Sequence, residues 1–224
     1  MKKELKDFLV GISVLLLYLL SSFIFLIILN ILHINPSNFN MVQKIIYNLS
    51  FEFILLGIIM LIYRKDIVHD FKNFKKCHFG SYIRYWFIFL GLMLISSIMI
   101  NMFTHISTSS NQEIIEDTFS KAPIFTTILT ILCAPILEEL VFRLSFRKMF
   151  KTDILFIIFS GLFFGFMHVS EPNSFLELLY IIPYSIPGFI FAYTLKKSKN
   201  IFVPIGLHCM HNTLMIILQF LIMK

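Results

Sequence analysis

Charge is scarce in this 224-residue chain, with only 14% of residues charged. Cysteine (three), tryptophan (one), proline (seven) and glycine (eight) are also sparse. So few charges cannot cover a soluble surface. Cys77, Cys133 and Cys209 show no paired spacing and no CxxC, which argues against a disulfide framework. Cys133 and Cys209 lie in apolar runs, where a free thiol behaves as a small hydrophobe. Internal repeats, low-complexity linkers and a stretch polar enough for a soluble domain are missing too. What is abundant is apolar: 58% of the residues are hydrophobic, and 27 are phenylalanine. They come in long runs instead of amphipathic stripes, which makes the bilayer the expected solvent.

The net charge of +6 does not point to nucleic acid, because the basic residues form short clusters between apolar runs. Such clusters orient membrane segments. The start, Met-Lys-Lys-Glu-Leu-Lys, resembles a signal peptide. The apolar run after it, Phe8 to Leu32, is too long for a signal core and reads as a retained first helix. Seven spanning segments are expected: Phe8–Leu32, Ile45–Tyr63, Tyr82–Ile106, Pro123–Phe142, Ile154–Val169, Phe175–Leu195 and Ile201–Met223. Most approach the ~20 residues that cross a bilayer, and the fifth is short. A long loop has room for an extra interfacial helix, which would make eight. The fold class is thus all-α, a polytopic helical membrane protein forming one domain over residues 1–224.

Sixteen of the 19 basic residues fall on one side of seven alternating helices. They cluster at Lys2–Lys6, Arg64–Arg84, Arg143–Lys151 and Lys196–Lys199. The other side keeps Lys44, Lys121 and Lys224, with the acidic Glu113, Glu116 and Asp117. The positive-inside rule makes the basic side cytoplasmic. A multi-pass cell-membrane protein with its N-terminus inside is expected.

Ionisable groups inside a bilayer cost about 2.5–3.5 kcal/mol each on insertion scales, so each is a candidate site. The exceptions are Glu52, the pair Glu138-Glu139, His168, and His208 with His211 and Asn212. Adjacent helical residues point about 100° apart, so the two glutamates do not share a face. Arg143 follows Glu139 at i+4, a spacing that favours an ion pair and leaves Glu138 for chemistry. Pro135 is expected to kink the helix and open space beside the pair. The plainer alternative makes both glutamates structural, bonded to loop groups at the cytoplasmic interface. Gly161 and Gly165 form a small-xxx-small pattern that would draw a neighbour close and bring His168 onto the Glu138 helix. Its alternative is a helix-end histidine bonded to a headgroup or loop. His208 and Asn212, at i and i+4, share a face and can present two donors to one point. His211 is offset, and an interhelical hydrogen bond suits it better than catalysis. Glu52 reads as a buried structural group or a substrate-gate residue.

Measured from the basic side, Glu138 would lie ~18 Å, His168 ~22 Å and His208 ~12 Å along their helices. These depths place the candidate site within the membrane, with access expected from the cytoplasmic side.

Three motifs then stand in order: Glu138-Glu139-Leu-Val-Phe-Arg143, Phe164-Gly-Phe-Met-His168 and His208-Cys-Met-His-Asn212. The ordered EExxxR, FxxxH and HxxxN on separate apolar helices resembles the CAAX-protease and bacteriocin-processing (CPBP, or Abi) family of intramembrane proteases. The resemblance covers residues 120–215; the first three segments carry no motif. It implies a helical fold with a conical cavity open to the cytosol and the bilayer. It also implies Glu138 as general base for a water, His168 helping to hold that water, and His208 and Asn212 stabilising the oxyanion. Glu139 and Arg143 would support them. A glutamate in a dry cavity suits proton shuttling near neutral pH, and donors aimed at a developing oxyanion are often the largest catalytic contribution.

No cofactor is certain. Glu138, His168 and His208 could hold a divalent metal such as zinc, but HExxH is lacking and asparagine is a poor ligand, which favours a metal-free or weakly metal-dependent site. GxSxG, rhomboid-like GxSG and GxGD motifs are also lacking. The expected partners are the lipid bilayer and a peptide or membrane-protein substrate: a pheromone- or bacteriocin-like precursor, or a CAAX-like protein. The alternatives are a non-proteolytic scaffold or immunity protein, and a small transporter relaying protons, though transporters commonly show an inverted repeat.

Overall fold

The structure is a computed structural model that describes residues 2–170 and 172–222. Met223, the expected end of the last segment, and Lys224 lie outside the described residues. Nine helices carry the fold among the described residues: α1 (Lys2–Ile31), α2 (Met41–Ile62), α3 (Arg64–Asn73), α4 (Ile83–Thr104), α5 (Ser110–Lys121), α6 (Pro123–Met149), α7 (Asp153–Met167), α8 (Ile181–Ser198) and α9 (Phe202–Ile222). No strand occurs among them. Six of these helices, with adjoining turns, are long and apolar enough to cross a membrane; α7 is apolar but shorter. The seven apolar helices match the seven expected segments. The polar helices α3 and α5 lie in the long connections, where an interfacial helix was anticipated.

Apolar composition drives these helices, and polar residues end them. The Asn40 side chain accepts from Gln43 N while Gln43 accepts from Asn40 N, both at 2.9 Å, so α2 starts on a reciprocal cap. α4 and α8 stop where His105 (φ 59°) and Lys199 (φ 52°) turn left-handed. Outward-facing side chains such as Phe103 (81% exposed) remain apolar, as a lipid-facing surface requires.

The bundle has two chemically different poles. At the basic pole Lys148 pairs with Asp66 (3.2 Å), Lys151 with Glu4 (2.8 Å) and Lys196 with Asp153 (3.5 Å). Asp70 accepts there from Ile201 N at 2.8 Å. These bonds gather the four basic clusters at one end. At the far pole Tyr180 donates to Ile106 O (3.1 Å), Ser109 and Tyr184 share a hydrogen bond (2.7 Å), and Ser110 donates to Glu177.

The main core fills the half of the bundle nearest the basic pole. Tyr63, Phe142, Phe156 and Ile201 are buried there, and Tyr63 hydrogen-bonds Ser145 at 2.8 Å. α7 lies hard against α8. A Cβ at Gly188 would come within 2.8 Å of Gly161 O, and one at Gly165 within 2.7 Å of Ile181 O. The small-residue pattern therefore faces α8, and not the Glu138 helix as anticipated. α7 meets α6 through other groups: Ser160 donates to Phe142 O at 2.7 Å, and Phe164 packs edge-on against Phe142.

Candidate active site

α6 is not a uniform helix. It widens to π-helical turns at Leu129–Cys133 and Glu139–Ser145. The first is explained by Pro135. In the wide register Ala134 N donates to Leu129 O, five residues back. The next donor along would be Pro135, which has no N–H. Thr130 O is left over, and Asn212 Nδ2 of α9 takes it at 2.8 Å. The expected kink is thus a local widening that binds α9 to α6. It also commits one amide hydrogen of Asn212, a group expected to donate freely into the site.

The two glutamates diverge as their helical offset requires. Glu139 is fully buried, with Oε2 3.0 Å from Arg143 Nε and Oε1 2.9 Å from His208 Nδ1. Arg143, also fully buried, lies with its guanidinium over the Phe164 ring at 4.4 Å and near the Phe191 ring at 5.4 Å. Glu138 points the other way. Its Oε2 is buried without a hydrogen bond, 3.9 Å from His168 Nε2 and 3.8 Å from His208 Nε2.

Both histidines are oriented from behind. His168 Nδ1 donates to Phe164 O at 2.9 Å, so in the neutral ring Nε2 carries the lone pair facing Glu138. The ring sits between Phe164 (4.4 Å) and Tyr184 (4.9 Å). His208 stacks on Phe191 at 5.0 Å. Separations of 3.8–3.9 Å are too long for direct hydrogen bonds and suit groups that share a small bridging molecule.

Glu138, His168, His208 and Asn212 line one cavity of about 430 Å³, so the four candidates do meet. His211 lines it too. Its Nδ1 has no hydrogen-bond partner, and the ring rests edge-on against Phe89 at 5.1 Å, in place of the anticipated interhelical hydrogen bond. Glu52 reaches the same cavity from α2.

The rest of the lining decides where the cavity leads. Ser107 to Ser109, Asn111 and Gln112 of the far pole contribute, with Tyr180 and Tyr184. On the basic side, Phe164, Phe191 and His208 form the floor, with buried Arg143, Phe142 and Phe156 beyond it. Entry from the basic, cytoplasmic side was anticipated because depth was measured from that end. The packed core closes that route, and the cavity extends towards the opposite pole. Glu177, absent from the polar exceptions of the apolar segments, accepts from Ser110 and from Asn173 N (2.7 Å) and ties α5 over the cavity. Its signal was an acidic residue inside the sixth apolar segment.

Glu138, His168 and His208 are chemically able to bind zinc, and each histidine is oriented through its second nitrogen as metal ligands commonly are. Among the described residues, however, no three His, Cys, Asp or Glu side chains are arranged to hold an ion. The 3.8–3.9 Å separations exceed the roughly 3.4 Å that tetrahedral ligands keep at about 2.1 Å from zinc.

The family model described as "Type II CAAX prenyl endopeptidase Rce1-like" matches residues 120–214, the stretch from α6 into α9 that holds the catalytic candidates. A Bacillus subtilis protein named "Putative membrane peptidase YdiL" is 31% identical over 173 residues, covering 73% of this chain and 67% of the relative. The chain belongs to the Rce1-like family. That membership is consistent with the CPBP resemblance of the three motifs. The Lactococcus lactis "UPF0177 protein YajF" is 32% identical over 154 residues, covering 64% of this chain and 72% of its own length. A Mycoplasma capricolum protein is 28% identical over 188 residues, covering 76% of this chain and 54% of its own length. No solved structure matches the chain.

Proposed function

We propose that this Rce1-like peptidase is an intramembrane endopeptidase that cleaves a peptide with a water activated by Glu138. The observation that carries the reading is the unpaired Glu138 Oε2, set between the Nε2 atoms of His168 and His208 in one cavity. A water bridging Glu138 and His168 would lose a proton to Glu138 and attack the peptide carbonyl. The C–O bond forms, and the carbonyl oxygen becomes an oxyanion. His208, anchored through Nδ1 to Glu139, would offer Nε2–H to it, and Asn212 the amide hydrogen that Thr130 does not use. Glu138 then returns the proton to the amine nitrogen as the C–N bond breaks. Glu139 and Arg143 fix His208 and take no part in the proton transfer. No step needs a metal.

The substrate enters from the far pole, because that pole supplies the cavity's polar lining. With the N-terminus cytoplasmic, this is the outer face, which suits a small exported or membrane-associated precursor of pheromone or bacteriocin type. The catalytic test uses the purified chain in proteoliposomes with quenched fluorogenic peptides. Glu138→Gln and His168→Ala should each lower kcat by about 100-fold or more without loss of the folded state. Full cleavage by both variants refutes the mechanism. Full activity after exhaustive chelation is expected, and recovery only on adding zinc would assign the three groups to a metal.

A further inference from the structure

Glu52, midway along α2, lines two cavities. One is the catalytic cavity. The other, about 440 Å³, is bounded by α1, α2, α5 and α6. Ile115, Leu129 and Thr130 are also common to both, so Glu52 stands where one passes into the other. The other carboxylates named in the interior each have a basic or hydrogen-bonding protein group beside them. Glu139 has Arg143 and His208, Glu177 has Ser110 and Asn173, and Glu138 faces two histidines. Among the described residues Glu52 has no hydrogen bond and no ion pair, and no Lys or Arg lines either cavity. A carboxylate set into the bilayer interior without a partner marks a place where a partner arrives.

Resting on the peptidase reading above, we infer that Glu52 is a subsite for a cationic group of the substrate, the ammonium of a lysine or the guanidinium of an arginine near the scissile bond. A scaffold role would require Glu52 to bond another helix, and it bonds none. The same lining disfavours a substrate that must place a free terminal carboxylate beside Glu52, since no Lys or Arg lines either cavity to receive it. The site therefore selects an internal basic residue.

The test uses the full chain in nanodiscs and quenched peptides with lysine, norleucine or glutamate placed in turn at each position flanking the cleaved bond. At one position lysine should exceed norleucine by about tenfold or more in kcat/KM, through KM. Glu52→Gln should shrink that ratio to about twofold or less, and Glu52→Lys should turn the preference towards glutamate. An unchanged lysine preference in Glu52→Gln overturns the subsite, as does the absence of any lysine preference in wild type. Glu52→Gln is nearly isosteric and serves if Glu52→Lys does not fold. Binding of the same peptides to Glu138→Gln, read by fluorescence anisotropy, separates the two claims. If nothing is cleaved but lysine peptides bind through Glu52, the proteolytic reading falls and the subsite stands. If peptides are cleaved with no dependence on Glu52, the subsite falls and the peptidase stands.

Discussion

Glu138 and Glu139 are neighbours in the chain and opposites in surroundings. Glu139 is enclosed by Arg143 and His208, while Glu138 faces open space. Removing one partner of a buried ion pair leaves the other charged and unanswered, at a cost of about 3–5 kcal/mol. Arg143→Met should therefore lower thermal stability sharply in detergent, and Glu139→Gln combined with it should restore part of the loss. If Arg143→Met melts at the wild-type temperature, Arg143 is not what neutralises Glu139. This division was legible in the sequence, because i,i+4 spacing and a 100° offset follow from the helix period alone. The behaviour of Asn212 was not legible. Its amide is drawn to Thr130 of another helix, a partner that only the packing of α9 on α6 selects.

At the scale of the element, Pro135 sets that register. Alanine in its place would supply an N–H that could satisfy Thr130 O within α6 and so release Asn212. Pro135→Ala should keep the fold and lower kcat by up to about 100-fold, the size a supporting group's drift of about an ångström can cost. Unaltered kinetics would show that the widened turn has no bearing on catalysis. The α7–α8 contact makes a second prediction. Gly188→Val would push directly on Gly161, whose carbonyl oxygen a Cβ there would meet at 2.8 Å. Overpacking of this kind costs typically about 1–3 kcal/mol, and it should displace His168, so both melting temperature and activity should fall. The sequence announced that Gly161 and Gly165 sit at a helix contact. Which helix they meet depended on tertiary packing, and it proved to be α8.

Across the whole molecule, the charge asymmetry read from the loops reappears as two poles tied by separate sets of bonds. The number of apolar helices and the convergence of the motif residues were both legible, since long apolar runs and helical depth need no tertiary information. The direction of the cavity was not, because depth along helices says nothing about which end is packed shut. Cysteine labelling tests that direction. Ser107→Cys, at the exposed rim of the cavity, should react with a membrane-impermeant maleimide in intact cells. The native Cys77, held near Ser198 at the basic pole, should react only after permeabilisation. The reverse pattern would turn the protein over in the membrane and place the cavity mouth in the cytosol.

The shortness of α7 has a consequence for supply. Fifteen residues rise about 22 Å, against a hydrocarbon layer of about 30 Å. His168 at its end therefore lies below the level of the lipid headgroups, and polar groups of residues 107–112 descend to meet it. Each turnover consumes one water molecule in a layer that holds almost none. The truncated helix brings the wet boundary of the membrane inward to the reacting bond, so the cell need not carry water through lipid to reach it.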